Sequence, residues 1–141
     1  KYYLSQKYLI GLRRHRARHE AKGHGFGYVV LDPEVDTANT LVGGGMGRER
    51  NLVPDKILKY CWKPGDDLMK RNCEGIRKMT PREWANLQGF PPDFKIPVAM
   101  TRAYKQFANS VPVPVIEAIA NNMKQALEGY SYSNKLDKYI R

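Results

Sequence analysis

The sequence predicts an α+β fold, a small domain of short strands and glycine loops with a few helices, followed by a C-terminal helical segment. Three observations predict it. Glycines at 23, 25, 27, 43, 44, 45 and 47 surround β-like runs at Tyr28 to Leu31 and near Leu52, the pattern of strands joined by glycine loops. Thr80-Pro81-Arg82-Glu83 is a helix start, with a hydroxyl cap, proline at the first helical position and glutamate placed for a capping box. Between Pro114 and Glu128, the apolar residues Val115, Ile116, Ile119, Met123 and Leu127 share one helical face.

Taken in order, Leu4 to Lys22 reads as a helix that Ser5 caps, with Leu4 and Leu9 at the two positions of a hydrophobic staple and Gly23 as its stop. It is strongly basic. Residues 1 to 24 carry Lys1, Lys7, Arg13, Arg14, Arg16, Arg18 and Lys22 against Glu20 alone, together with all three histidines. Such a face is either solvated or in contact with phosphates. Pro54 to Ile76 mixes apolar and charged residues around Pro64-Gly65-Asp66 and carries no single structural signature. The Thr80 helix is expected to be short and to close at Gly89, with Met79 and Trp84 as its staple. A further helix from Thr101 carries Tyr104 and Phe107. The last one ends at Gly129, and its apolar face requires a partner. Residues 129–141 read as a polar tail.

The chain has 141 residues, with 24 Lys+Arg against 14 Asp+Glu and a net charge of +10. An excess of this size implies an anionic partner, for which nucleic acid is the first expectation. Two cysteines exclude a disulfide-stapled scaffold. Without a long apolar run or a leader, a soluble cytoplasmic protein is expected, and a start at Lys1 leaves a fragment open. Cys61 and Cys73 with His15 and His19 fit no short chelating loop, so no metal is expected. The loop Gly43-Gly44-Gly45-Met46-Gly47 lacks the Lys-Ser/Thr of a nucleotide-hydrolase phosphate loop. Because Arg48 and Arg50 follow it, the residues alone leave it divided between a plain turn and a DNA-reading loop.

Residues 77 to 91, RKMTPREWANLQGFP, closely resemble the ninth motif of DNA (cytosine-5) methyltransferases. Residues 103 to 116, AYKQFANSVPVPVI, resemble the tenth, with Ala108 where that family usually has glycine. Upstream, Gly25-Phe26-Gly27-Tyr28 and Ala38-Asn39-Thr40-Leu41 with the glycine loop look like the same family's target recognition domain. The family's cofactor loop, Pro-Cys nucleophile, Glu-Asn-Val acid motif and Gln-x-Arg-x-Arg motif have no counterpart in this chain. Those parts add a thiolate to C6 of a flipped cytosine and make C5 reactive towards the methyl group of S-adenosylmethionine.

The resemblance implies the recognition and completion portion of a bacterial cytosine-5 methyltransferase, either a natural split subunit or a fragment. It implies a connecting basic helix over 1–22, a recognition domain over 23–98, and a segment over 99–128 that completes a Rossmann-like catalytic domain carried elsewhere. Double-stranded DNA and a polypeptide bearing the catalytic cysteine are the implied partners, and S-adenosylmethionine the implied cofactor. Asn109, Ser110 and Val111 match positions that line the cofactor pocket. Thr40, Gly43, Gly44, Gly45, Arg48, Arg50, Lys105 and Gln106 fall to DNA contact. Thr80, Arg82 and Glu83 fall to structure, through capping and ion pairing, and this chain alone holds no catalytic residue. A non-enzymatic sequence-specific DNA-binding module is the alternative, and it leaves the last amphipathic helix without a purpose.

Overall fold

The computed structural model describes residues 2–25, 27–32, 34, 36–45, 47–55, 72 and 74–137, of which 130–137 as backbone only. Helix α1 spans Gln6–Glu20 and begins where the Ser5 hydroxyl accepts from the Tyr8 amide at 3.1 Å. Leu4 and Leu9 are both buried, as a staple requires, and Gly23 leaves the helix at φ +71°. Strand β1 (Val29–Val30) pairs in parallel with β2 (Asn51–Pro54), which pairs antiparallel with β3 (Ile76–Lys78). The strand β3 has no alternating signature of its own. Leu52 stands opposite Lys78 and Val53 opposite Arg77, so pairing to β2 makes this stretch a strand.

Helix α2 (Pro81–Leu87) carries the complete capping box: the Thr80 hydroxyl accepts from the Glu83 amide, and the Glu83 carboxylate accepts from the Thr80 amide at 2.6 Å. Helix α3 (Met100–Ala108) starts at Ala99 without a side-chain cap. Helix α4 runs 25 residues, Val113–Asp137. The expected stop at Gly129 is therefore corrected: Gly129 is not among the left-handed glycines, and in a right-handed conformation glycine costs a helix only about 1 kcal/mol. The cysteines Cys61 and Cys73 and the Pro64-Gly65-Asp66 turn lie outside the described residues. No described helix is long and apolar enough to cross a membrane.

Two cores hold these elements. Leu4, Leu9 and Leu12 pack with Leu52 and Ile76, seating α1 on the sheet. Leu31, Leu41, Val53, Met79, Trp84 and Ala85 pack with Ala103, Tyr104 and Phe107, so α3 shares its core with α2 and the strands. Helix α4 leaves that core. Its stripe Val115, Ile116, Ile119, Met123 and Leu127 is exposed, from 48 % at Val115 to 67 % at Leu127.

Three buried amide side chains fasten the backbone between elements, each by hydrogen bonds to main-chain groups far along the chain or beside a turn. Asn72 donates to the Leu4 and Ile76 carbonyls, at 2.8 and 2.7 Å, and accepts from the Glu74 and Ile76 amides. Asn51 exchanges bonds with both the amide and carbonyl of Asn39, at 2.9 and 2.7 Å. The Gln88 side chain donates to the Phe107 carbonyl at 3.0 Å, and the Gln88 backbone carbonyl accepts from the Val113 amide at 2.8 Å. The next residue, Gly89, has φ +75° and faces Pro114 so closely that a Cβ would lie 2.5 Å from its Cδ. Only glycine suits that junction.

Arg77 grips Glu83 through two bonds of 2.9 and 2.8 Å, joining β3 to α2. Burial raises the Glu83 pKa, but the bonds from Arg77 and Thr80 outweigh it and hold the carboxyl below its ordinary value. A carboxyl depressed in the folded state contributes stability that is complete above its unfolded pKa and is lost as pH falls through the folded one. The melting temperature should therefore fall as pH drops below about 4.5, the ordinary value, and part of that slope should vanish in Glu83→Gln, followed by thermal unfolding between pH 7 and pH 3. Gln88→Leu should remove one of the hydrogen bonds to the Phe107 carbonyl, which keeps its bond from the Ser110 hydroxyl, and cost about 0.5 to 1.5 kcal/mol in denaturant unfolding, with faster amide exchange around Ser110.

Candidate DNA-facing and cofactor-facing site

The glycine loop begins at Leu41, whose side chain lies in the main core, and returns through a 3-10 turn at Gly47–Glu49 into β2. Its two ends meet. The Val42 carbonyl lies against Gly47 where any Cβ would collide with it, and the Gly47 amide donates to the Gly44 carbonyl at 3.0 Å. Gly45, at φ +55°, makes the reversal. The loop is thus a closed ring of backbone.

Gly43 rests on the C-terminal turn of α3. A Cβ built there would lie 3.3 Å from the Ala108 Cβ, 3.7 Å from the Lys105 Cα and 3.9 Å from the Asn109 Oδ1. The fold therefore brings Gly43 and Lys105, expected on the DNA side, beside Asn109, expected on the cofactor side. Arg48 is placed over the Tyr104 ring with its guanidinium carbon 5.8 Å from the centroid. Tyr104 meets Trp84 edge-on at 4.8 Å, and its hydroxyl donates to the Met79 carbonyl. Thr40 is exposed, and its position follows from the Asn51 clamp on Asn39. Gly44, Gly45 and Gln106 are exposed nearby in the chain, whereas Arg48 and Arg50 are half-buried.

Beyond Ala108 the chain turns at Asn109, Ser110 and Val111. The Asn109 amide donates to the Lys105 and Gln106 carbonyls, both at 3.2 Å, and the Ser110 hydroxyl donates to the Phe107 carbonyl at 2.7 Å. The Asn109 side-chain amide makes no hydrogen bond among the described residues, and Val111 is half exposed at 52 %. Thr80, Arg82 and Glu83 stand apart from this surface. Arg82 donates to the Pro91 and Phe94 carbonyls and holds the loop after α2.

A cleft separates α1 from the loop, lined by Leu12, His15, Tyr28, Val42, Glu49 and Arg50 among others. Glu49 is buried with Lys78 Nζ at 3.5 Å; burial, then the Glu49 carboxylate, raises the pKa of Tyr8. The basic helix is less free than its charge suggests. Arg13 pairs with Glu74, and Arg16 pairs with Glu20 at 2.7 Å while also donating to the Tyr28 carbonyl. Arg14 forms no ion pair among the described residues. Nor does any described group of three His, Cys, Asp or Glu side chains suit a metal ion.

Asn51, Gln88 and Glu49 escape a reading of the sequence, because each acts through a partner far along the chain. An asparagine leading the apolar pair Leu52-Val53 is the one visible hint.

The sequence profile of the C-5 cytosine-specific DNA methylase family matches residues 1–125. Type II methyltransferase M.HpaII of Haemophilus parainfluenzae is 53 % identical over 127 residues, covering 90 % of this chain and 35 % of that protein. Type II methyltransferase M.NlaX of Neisseria lactamica is 40 % identical over 131 residues, covering 93 % and 37 %. The DNA-cytosine methyltransferase of Escherichia coli (strain K12) is 33 % identical over 136 residues, covering 91 % and 29 %. The chain spans about a third of the length of these relatives. A match that begins before α1, takes in the glycine loop and α3 turn, and ends within α4 means that this chain belongs to the C-5 cytosine-specific DNA methylase family.

Proposed function

We propose that this chain recognises DNA and completes the cofactor site of a DNA (cytosine-5) methyltransferase, which transfers methyl to C5 of a flipped cytosine only together with a polypeptide carrying the catalytic motifs. One observation carries the reading: Gly43 of the glycine loop lies against the last turn of α3, beside Lys105, Ala108 and the Asn109 side chain, which supports one surface for the residues assigned to DNA and to cofactor. Bound S-adenosylmethionine would supply an electrophilic methyl group. The residues present suit it. Asn109 offers an uncommitted amide, Ser110 keeps acceptor lone pairs after donating its proton, and Val111 presents an exposed apolar side chain. Residues 23–98 act as the recognition domain, and the exposed stripe of α4 is the face that meets the catalytic domain. Thr40 and Lys105 steady the backbone of the DNA, and Gly43, Gly44 and Gly45 let it approach closely.

The purified chain, given DNA and methyl-labelled S-adenosylmethionine, should incorporate no label, and adding a polypeptide with the Pro-Cys nucleophile and cofactor loop should start incorporation. Label transferred by the chain alone, or none with the partner present, overturns the reading; DNA binding without any gain from the partner favours a stand-alone binding module.

Gripping and reading separate by ratio. Arg14→Ala should weaken binding to a duplex selected from a random library and to its scrambled version alike, lowering the salt slope by about one unit. Arg48→Ala and Arg50→Ala should cost about 1 to 3 kcal/mol on the selected duplex and little on the scrambled one, by titration at two salt concentrations.

A further inference from the structure

We propose that Gly43 and Ala108 form a positioning contact that couples the grip on DNA to occupancy of the cofactor-facing turn, an inference that rests on the function proposed above. The loop is tied to α3 at three points. Leu41 shares a core with Ala103, Tyr104 and Phe107; Arg48 lies over the Tyr104 ring; and between them Gly43 touches the turn. Two of the ties reach the body of the helix. The third reaches its last turn, where Ala108 precedes Asn109.

Geometry makes that third contact sensitive. A Cβ at 43 would stand 3.3 Å from the Ala108 Cβ, inside the roughly 3.5 to 4.0 Å at which carbon atoms attract, so a methyl group there fits only if loop and turn move apart by a few tenths of an ångström. Gly43 is not among the left-handed glycines, so alanine there brings no backbone strain and probes the contact alone. The ring is closed by the approach of Val42 to Gly47 and by the Gly47 amide on Gly44, so a push at Gly43 is passed on rather than absorbed within the loop. On the other side, the turn is fastened by the Asn109 amide and by Gln88 on Phe107. A ligand that draws Asn109 a few tenths of an ångström therefore shifts the seat of Gly43, and DNA pressing the loop shifts Asn109. Coupling of this kind is reciprocal.

The test uses the assembled enzyme, this chain with the polypeptide bearing the nucleophile and cofactor loop. S-adenosylmethionine affinity is measured with and without a duplex selected by the wild type from a random library, for wild type, Gly43→Ala, Ala108→Gly and the double variant. The ratio of the two affinities should differ from one in the wild type and move about fivefold towards one in Gly43→Ala, the lower end of ordinary coupling factors. Ala108→Gly opens a gap and should reduce the ratio too, whereas the double variant, with one methyl moved across the contact, should restore it. A structural role alone would lower the melting temperature and weaken both affinities in proportion, leaving the ratio unchanged. An unchanged ratio in Gly43→Ala, or no rescue in the double variant, overturns the inference. If the wild type binds both ligands with a ratio of one, the inference falls and the proposed function stands; if it binds neither, both fall.

Discussion

The candidate surface is organised around the buried ring of Tyr104. Its ring packs edge-on against Trp84 of α2, its outer face receives Arg48 of the glycine loop, and its hydroxyl donates to the carbonyl of Met79. One side chain thus joins helix α2, the glycine loop and the strand-to-helix junction to α3. Burial raises the phenol pKa well above its ordinary value, so the hydroxyl stays protonated as a donor across physiological pH. A phenylalanine would fill the same space and leave the Met79 carbonyl unmet.

Around that ring, buried amides do what regular secondary structure does elsewhere. The sheet is small, with strands of two, four and three residues, and cannot by itself fix the segments that carry the candidate site. Asn51 holds the approach to Thr40, Asn72 ties the start of α1 to β3, and Gln88 pins both sides of the Asn109 turn. Each such bond adds only about 0.5 to 1.5 kcal/mol net, yet removing one partner strands a buried polar group and costs more. The clamps therefore set position more than stability.

Local chemistry in the sequence was legible wherever cause and effect lie within one turn. Ser5 and Thr80 cap, Leu4 with Leu9 and Met79 with Trp84 staple, and Gly23 and Gly89 stop at positive φ. The failures have a common origin. Strand β3 exists only through pairing with β2, and the stop at Gly129 does not occur because no neighbour demands a left-handed residue there. For the candidate site, the motif residues pointed to the turn and the loop. Their contact at Gly43 and Ala108 joins positions 65 residues apart, and no periodicity reports such a meeting. Equally, the charge of Arg13 and Arg16 was plain, but their engagement with Glu74 and Glu20 emerges only once α1 is seated.

The closure of the loop between Val42 and Gly47 also bears on which substitutions it can accept over evolutionary time. Gly44 and Gly45 at its tip face open space, while the closure depends on the backbone of Val42 and the missing side chain of Gly47. Side chains at the tip can then be exchanged without disturbing the stem, subject at position 45 to a left-handed conformation that asparagine and aspartate also tolerate. The loop is a replaceable cassette on a fixed mount, so single substitutions at its tip can change the surface it presents while leaving the core intact.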